Sequence, residues 1–111
     1  MKRAAPDGPA ALDDLLASLG PADQMRAFYE ARLGRLREYD ETHGAQLMQT
    51  LDAYFAAGRS LSAAAERLSA HRNTVLYRLR RIETLVEAKL RDPHVDLELQ
   101  VALRIAATLK R

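Results

Sequence analysis

Side chains able to form paired hydrogen bonds cluster in the second half of this 111-residue chain. Arg72 could bond a guanine edge through two hydrogen bonds, and Asn73 could do the same for adenine. Tyr77, Arg80 and Arg81 follow within the next three helical turns, and no acidic residue interrupts the run. This combination of planar donors without negative charge indicates recognition of a nucleic acid.

The distribution of charge also points to a polyanionic partner. The chain as a whole has a formal net charge of +2. Residues 59–91 hold eight Lys/Arg and three Asp/Glu, a net charge of +5, whereas residues 1–58 hold six and nine, a net charge of −3. A basic block inside a nearly neutral chain is typical of proteins that bind polyanions. Charge considered alone favours the alternative of a solvated helix face, so the basic block is interpreted together with its helical context.

Catalytic and metal-binding chemistry is not indicated. His43, His71 and His94 lack the spacing of metal ligands. There is no Ser-His-Asp set and no glycine-rich phosphate loop. The acidic pairs, such as Asp13 and Asp14, are adjacent residues that do not face each other on a helix. We therefore predict no enzyme activity, no cofactor and no catalytic or metal-binding residue.

Composition predicts a single all-α domain. Alanine, leucine, arginine and glutamate dominate, while β-branched residues are sparse. The chain has no cysteine, so it cannot form disulfide bonds. A chain of this length can bury one modest hydrophobic core without them. No apolar run approaches the roughly 20 residues of a membrane span, and residues 1–9 lack the apolar centre of a secretory signal. We expect a cytoplasmic protein that does not contact membranes.

Helical periodicity predicts about five helices and positions the basic cluster on one of them. One or two helical turns over residues 10–19 should end at Gly20 and Pro21, and a polar break is expected over residues 40–44. The predicted helices cover about residues 23–39, 45–57, 61–68, 72–88 and 93 to the end.

The short helix 61–68 and the basic helix 72–88 are separated by only three residues, which is the arrangement of a helix-turn-helix. Ala63, Ala64 and Ala65 would let the two helices approach closely. The basic helix would be anchored by an apolar stripe of Val75, Leu79 and Ile82. Its opposite face would then be free for a partner and holds Asn73, Tyr77, Arg80, Arg81 and Thr84.

The ends of these helices carry residues suited to capping. Ser60 is a predicted N-cap of the short helix, and His71 occupies the N-cap position of the basic helix, where free amides favour a phosphate. Structural roles are open for several of these residues. His71 could be only a cap, Tyr77 could cover apolar surface, and Arg80 and Arg81 could form a solvated face with nearby glutamates.

The run SLSAAAERLSAHRNTVLYRLRRIE, residues 60–83, resembles the C-terminal helix-turn-helix of the PucR family of bacterial transcriptional regulators. The flanking runs LREYDETHGAQLMQTLDAYFAAG and LRDPHVDLELQVALRI extend the resemblance over about residues 10–105. The motif is also similar to the DNA-binding part of the factor for inversion stimulation. The resemblance implies a compact helical domain that binds double-stranded DNA sequence-specifically.

The same similarity implies individual DNA contacts. Ser60 and Ser62 would contact the backbone at the start of the first helix. His71, Arg72 and Thr74 would lie at the groove, with Tyr77 and Arg78 nearby. The sequence departs from the family pattern in two places. The residues after Asp92-Pro93 are His94, Val95 and Asp96 instead of an acid-acid-arginine run, and Ser60 replaces a frequent asparagine.

Family members usually carry a sensor region before this domain. We therefore interpret residues 1–20 as a flexible lead and the remnant of a preceding region, and residues 21–111 as the DNA-binding domain. This interpretation makes the chain an isolated domain or a fragment in which no effector site is expected.

The last helix is apolar on two sides. Leu97, Val101 and Ile105 fall on one side, and a second row contains Leu99 and Leu103. Such a helix needs burial on both sides. The second side could meet another copy in a homodimer that binds paired half-sites, meet the sensor region, or be buried in the core of a single chain.

The alternative to DNA binding is a helical protein-interaction module whose basic helix docks an acidic partner.

Overall fold

The computed structural model describes residues 9–19 and 22–109, and this part of the chain consists of helices joined by short turns, without strands. The prediction of an all-α fold is confirmed. The helices are α1 (Pro9–Leu19), α2 (Ala22–His43), α3 (Leu47–Ala56), α4 (Leu61–Leu68), α5 (Arg72–Val86) and α6 (Pro93–Leu109). Residues 1–8 of the predicted lead lie outside the described residues. No helix in the described ranges is long and apolar enough to cross a membrane.

The prediction of a polar break beginning at Asp40 is wrong, because α2 continues to His43. Asp40 has a different role from that of a loop residue. Its two carboxylate oxygens accept hydrogen bonds from the backbone amides of Leu47, at 2.7 Å, and Met48, at 2.9 Å. These amides open α3, whose N-cap Gln46 makes no side-chain cap hydrogen bond of its own. Asp40 therefore caps α3 from the end of the preceding helix.

Apolar side chains from α2, α3, α5 and α6 meet in one core. Each fully buried leucine or isoleucine contributes roughly 1.5–3 kcal/mol relative to an exposed one. The core is closed by small residues of α4, of which Ala64 is completely buried. The large side chains that lose essentially all exposure are Leu33, Leu36, Leu47, Leu51, Val75, Ile82 and Leu99.

Helix α6 buries most of its apolar residues inside this domain. Leu99, Leu103 and Ile105 are buried, and Val101 is half-buried. Helix α6 packs chiefly against α2 and also contacts α1. Leu97 is the exception, because 60% of its surface is exposed. Most of the two-sided apolar pattern is therefore explained by burial within one chain.

A charged pair ties α6 to the turn before α4. The Arg59 guanidinium donates two hydrogen bonds of 2.6 Å to the two carboxylate oxygens of Asp96, which also accepts one from Gln100. Asp96 is buried. The backbone of Arg59 has φ 67°, in the left-handed region that is unfavourable for residues other than glycine. The bidentate pair therefore holds a strained turn in place.

We expect Asp96→Asn to lower the free energy of unfolding at neutral pH by about 1.5–3 kcal/mol, because charge-assisted hydrogen bonds are lost. The Arg59 guanidinium lowers the pKa of Asp96. A carboxylate with a lowered pKa in the folded state stabilises fully above its unfolded pKa of about 3.9 and loses this effect as the pH falls through the lower folded pKa. The difference between variant and wild type should therefore shrink below about pH 4.

Urea unfolding at neutral and acidic pH measures this difference. Glu38→Gln removes one carboxylate from an exposed position of α2 and is the matched control. It should change stability by less than about 0.5 kcal/mol. Equal stability of Asp96→Asn and wild type at neutral pH would contradict the role assigned to the pair.

Candidate nucleic-acid interface

The segments 61–68 and 72–86 form the predicted helix-turn-helix. Helix α4 ends at Leu68, and Ser69 turns the chain in the left-handed conformation with φ 51°. The Ser69 amide donates to the Glu66 carbonyl, and the Ala70 amide donates to the Ala65 carbonyl at 3.0 Å. These bonds satisfy the last carbonyls of α4, so serine makes a turn that glycine would make with less strain.

Both predicted N-caps are confirmed. The Ser60 hydroxyl accepts a hydrogen bond from the Ala63 amide at 3.1 Å. His71 Nδ1 accepts one from the Asn73 amide at 3.0 Å. The His71 ring therefore has a structural role at the start of α5. Ser62 is exposed in the first turn of α4.

The predicted two faces of α5 are present. Val75, Leu79 and Ile82 are buried against the core, whereas Asn73 and Tyr77 are exposed on the opposite face. The further exposed residues of α5 in the predicted set are Arg72, Arg80 and Thr84, and Thr74 is half-buried. On α4, Ala64 and Ala65 are buried where the two helices meet. Helix α5 thus presents a polar surface to solvent, while its apolar side is packed against the core.

Arg72 is exposed in the first turn of α5 and makes no hydrogen bond or ion pair with the described residues. The neighbouring amides of Thr74 and Val75 both donate to the His71 carbonyl. The backbone at Arg72 is therefore ordered by the helix start, while its guanidinium has no partner among the described residues. Such a group can form new hydrogen bonds without first breaking old ones.

Two other predicted arginines are engaged within the protein. Arg78 Nη1 lies 3.4 Å from the Thr50 hydroxyl and donates a weak hydrogen bond to it, so this side chain is directed toward α3. Arg81 Nη2 donates to the Tyr77 hydroxyl at 3.1 Å. The Arg81 guanidinium carbon also lies 5.7 Å from the centre of the Tyr39 ring. This contact is within cation–π range and orders the long Arg81 side chain.

Tyr39 and His43 extend this cluster onto α2 and were not among the predicted site residues. Their rings are stacked with centroids 4.1 Å apart. The predicted helix ended at residue 39, so His43 was not placed on a helical face with Tyr39, and nothing local indicated that this face meets α5. The cluster adds aromatic surface beside Tyr77, which is 62% exposed.

The glutamates near the end of α5 do not neutralise its arginines. The Glu83 carboxylate accepts a hydrogen bond from the Leu90 amide at 2.8 Å. Glu87 pairs with Arg35 of α2 at 2.8 Å. Neither glutamate forms an ion pair with Arg80 or Arg81. Within the described ranges no group of His, Asp and Glu side chains could hold a metal ion.

Residues 47–105, which span α3 to most of α6, match the PucR C-terminal helix-turn-helix domain. The chain belongs to this family. The match covers the whole helix-turn-helix together with α3 and most of α6, and it confirms the resemblance inferred from residues 60–83. The family is one of helix-turn-helix domains of regulators and not of enzymes.

Three relatives show how much of a longer protein this PucR-type domain represents. The chain is 37% identical over 90 residues to the purine catabolism regulatory protein of Bacillus subtilis, covering 81% of the chain but 17% of that protein. It is 27% identical over 77 residues to the DNA-binding transcriptional activator AdeR of the same organism, covering 69% and 18%.

The third relative is an uncharacterized protein in the pkwA 5′ region of Thermomonospora curvata. The chain is 37% identical to it over 95 residues, covering 86% of the chain and 52% of that protein. The PucR-type domain thus spans about half or less of each of these relatives. No solved structure matches the chain significantly.

Proposed function

We propose that this PucR-type domain binds double-stranded DNA sequence-specifically as the C-terminal domain of a bacterial transcriptional regulator, which would place it in the cytoplasm. The observation that carries the proposal is the exposed face of α5. Arg72 and Asn73 stand at its start, no acidic residue lies among its first eleven positions, and Arg72 has no internal partner among the described residues. The names of the two Bacillus relatives, a regulatory protein and a DNA-binding activator, support the same assignment.

The residues would divide between reading bases and holding phosphates. A helix in the major groove reads bases with its first turn and contacts phosphates along its flanks. Arg72 would bond a guanine edge, and Asn73 and Thr74 would lie beside it in the groove. His71 would face a phosphate through its outer ring nitrogen, whereas the amides of Asn73, Thr74 and Val75, which sequence reasoning expected to be free, already donate to His71.

Contacts to the DNA backbone would come from both helices. Ser60 and Ser62 would contact it at the start of α4, and Tyr77, Arg80 and Arg81 would contact it along α5. Arg78 would contribute less than the other arginines, because its guanidinium is directed toward Thr50. Its main role would be to position α5 against α3.

A homodimer on paired half-sites is the assembly that we propose. Two recognition helices one DNA turn apart, about 34–36 Å, would match a pseudo-palindromic operator. Leu97, exposed on the outer side of α6, is a candidate for the contact between copies. In a full-length regulator of this kind, a sensor region would precede residues 1–20 and the effector would bind there.

Competition between duplexes tests the proposed function. A duplex selected from a randomised pool should bind at least about a thousandfold more tightly than an unrelated duplex of equal length. Sedimentation of the complex gives the number of chains per duplex, which should be two. Binding of acidic proteins without binding of duplex DNA would favour the protein-interaction function instead.

A further inference from the structure

An open groove adjoins the candidate interface and was not part of the predicted contact set. One wall is formed by Arg59 and Leu61, which flank Ser60 at the start of α4. The opposite wall is the side of α5 that carries Arg80 and Thr84. The turn between α5 and α6, with Lys89 and Arg91, closes one end. The groove is therefore continuous with both helices of the helix-turn-helix.

Among the described residues, the cations without an ion-pair partner in this groove outnumber its one carboxylate without a cationic partner, that of Glu83. Arg80, Lys89 and Arg91 are exposed and make no ion pair within residues 9–19 and 22–109. The two glutamates that also line the groove are engaged, Glu83 with the Leu90 amide and Glu87 with Arg35. Arg59 is neutralised by Asp96. A negatively charged ligand would therefore meet three unpaired cations and two carboxylates whose hydrogen-bonding capacity is partly used.

The position of the two turn cations is fixed by the backbone. Glu87 ends α5 in the left-handed conformation with φ 57°, and the Ala88 amide donates to the Glu83 carbonyl. The Glu83 carboxylate then holds the Leu90 amide, and Leu90 itself is buried. Lys89 and Arg91 flank this anchored residue and are both exposed. The turn is thus a rigid support for two outward-pointing cations.

We propose that this groove holds the sugar-phosphate backbone of DNA flanking the half-site, with Lys89 and Arg91 contacting phosphates beyond those reached by α5. This inference rests on the proposed function of DNA binding. Phosphates of one strand are regularly spaced, so an open groove lined by several cations suits a backbone. Contacts of this kind raise affinity without selecting sequence.

The test uses single variants of the whole chain, Lys89→Gln and Arg91→Gln, and their combination. Affinity is measured across a salt series for a duplex with flanks and for one trimmed to the half-site. On the flanked duplex each single variant should reduce the slope of log affinity against log salt by about one, and the double variant by about two. The advantage of wild type over the double variant should therefore shrink roughly tenfold between about 50 and 200 mM salt.

Arg26→Gln is the matched control, because Arg26 is exposed on α2 and makes no ion pair with the described residues. It removes the same charge and should leave the slope unchanged. Circular dichroism and urea midpoints should be the same for all variants, since the replaced side chains are exposed. On the trimmed duplex the variants should bind as wild type does.

Two results would overturn the inference. Unchanged slopes on the flanked duplex would show that the groove does not hold DNA, and equal losses on both duplexes would place the contacts inside the half-site. Either result leaves DNA binding by wild type intact. Failure of wild type to bind any duplex is a different outcome, because it would contradict the proposed function itself.

Discussion

Arg72→Ala is expected to bind its best duplex about 1–3 kcal/mol more weakly, roughly five- to 150-fold, and to lose preference at a single base position. The physical reason is the position of Arg72, which is exposed in the first turn of α5 and has no partner among the described residues. Its replacement removes a bidentate hydrogen bond to a base edge without disturbing the core. Selection from a randomised duplex pool, repeated for wild type and variant, measures the effect.

Arg81→Ala is the comparison that separates base reading from phosphate binding. It should lower affinity for all duplexes about equally and reduce the salt slope by about one, while the ranking of sites stays the same. Its contacts with Tyr39 and Tyr77 are lost as well, so a small decrease in stability accompanies the change. An unchanged selected sequence for Arg72→Ala would show that another residue reads the base.

Ala64→Leu is expected to destabilise the domain by about 2–3 kcal/mol and to lower its melting temperature by roughly 10 °C or more. Ala64 is completely buried in α4, which packs against both α3 and α5. A leucine adds three carbon atoms to a packed contact, so either the helices separate or side chains leave their preferred rotamers. DNA affinity should fall with stability, because α5 can no longer be held at its present angle.

Ala56→Leu is the control for this substitution. Ala56 is the last residue of α3 and is exposed, so the larger side chain meets solvent. It should alter stability by less than about 0.5 kcal/mol and leave DNA binding as it is. Thermal unfolding of the wild type and the two variants, followed by circular dichroism, makes the comparison. An Ala64→Leu variant as stable as wild type would be incompatible with close packing of α4 on α5.

The helix-turn-helix was predictable because its determinants are local. Ser60 and His71 lie at helix starts where capping chemistry requires them, and their caps involve amides only two or three residues away. The apolar stripe from Val75 to Ile82 follows from helical periodicity alone. The exposed face of α5 is what remains after that stripe is buried. Sequence reasoning could therefore predict which side of α5 is open to a partner.

The features that sequence reasoning missed depend on contacts between distant segments. Aspartate is a residue type common in loops, and only the position of α3 in the fold allows Asp40 to cap that helix. Arg59 and Asp96 are 37 residues apart, so no periodicity connects them. The engagement of Arg78 with α3 likewise depends on how the helices pack. Within the candidate site, exposure could be predicted, but the internal partners of each arginine could not.

The most direct test of the central claim is the affinity of the domain for duplex DNA across a salt series. With roughly four to six phosphate contacts per domain, log affinity should fall linearly with log salt at a slope of about −4 to −5. The selected duplex and an unrelated one should show similar slopes but different affinities at every salt concentration. A flat salt response, or no binding at low salt, would contradict the assignment of α5 to DNA.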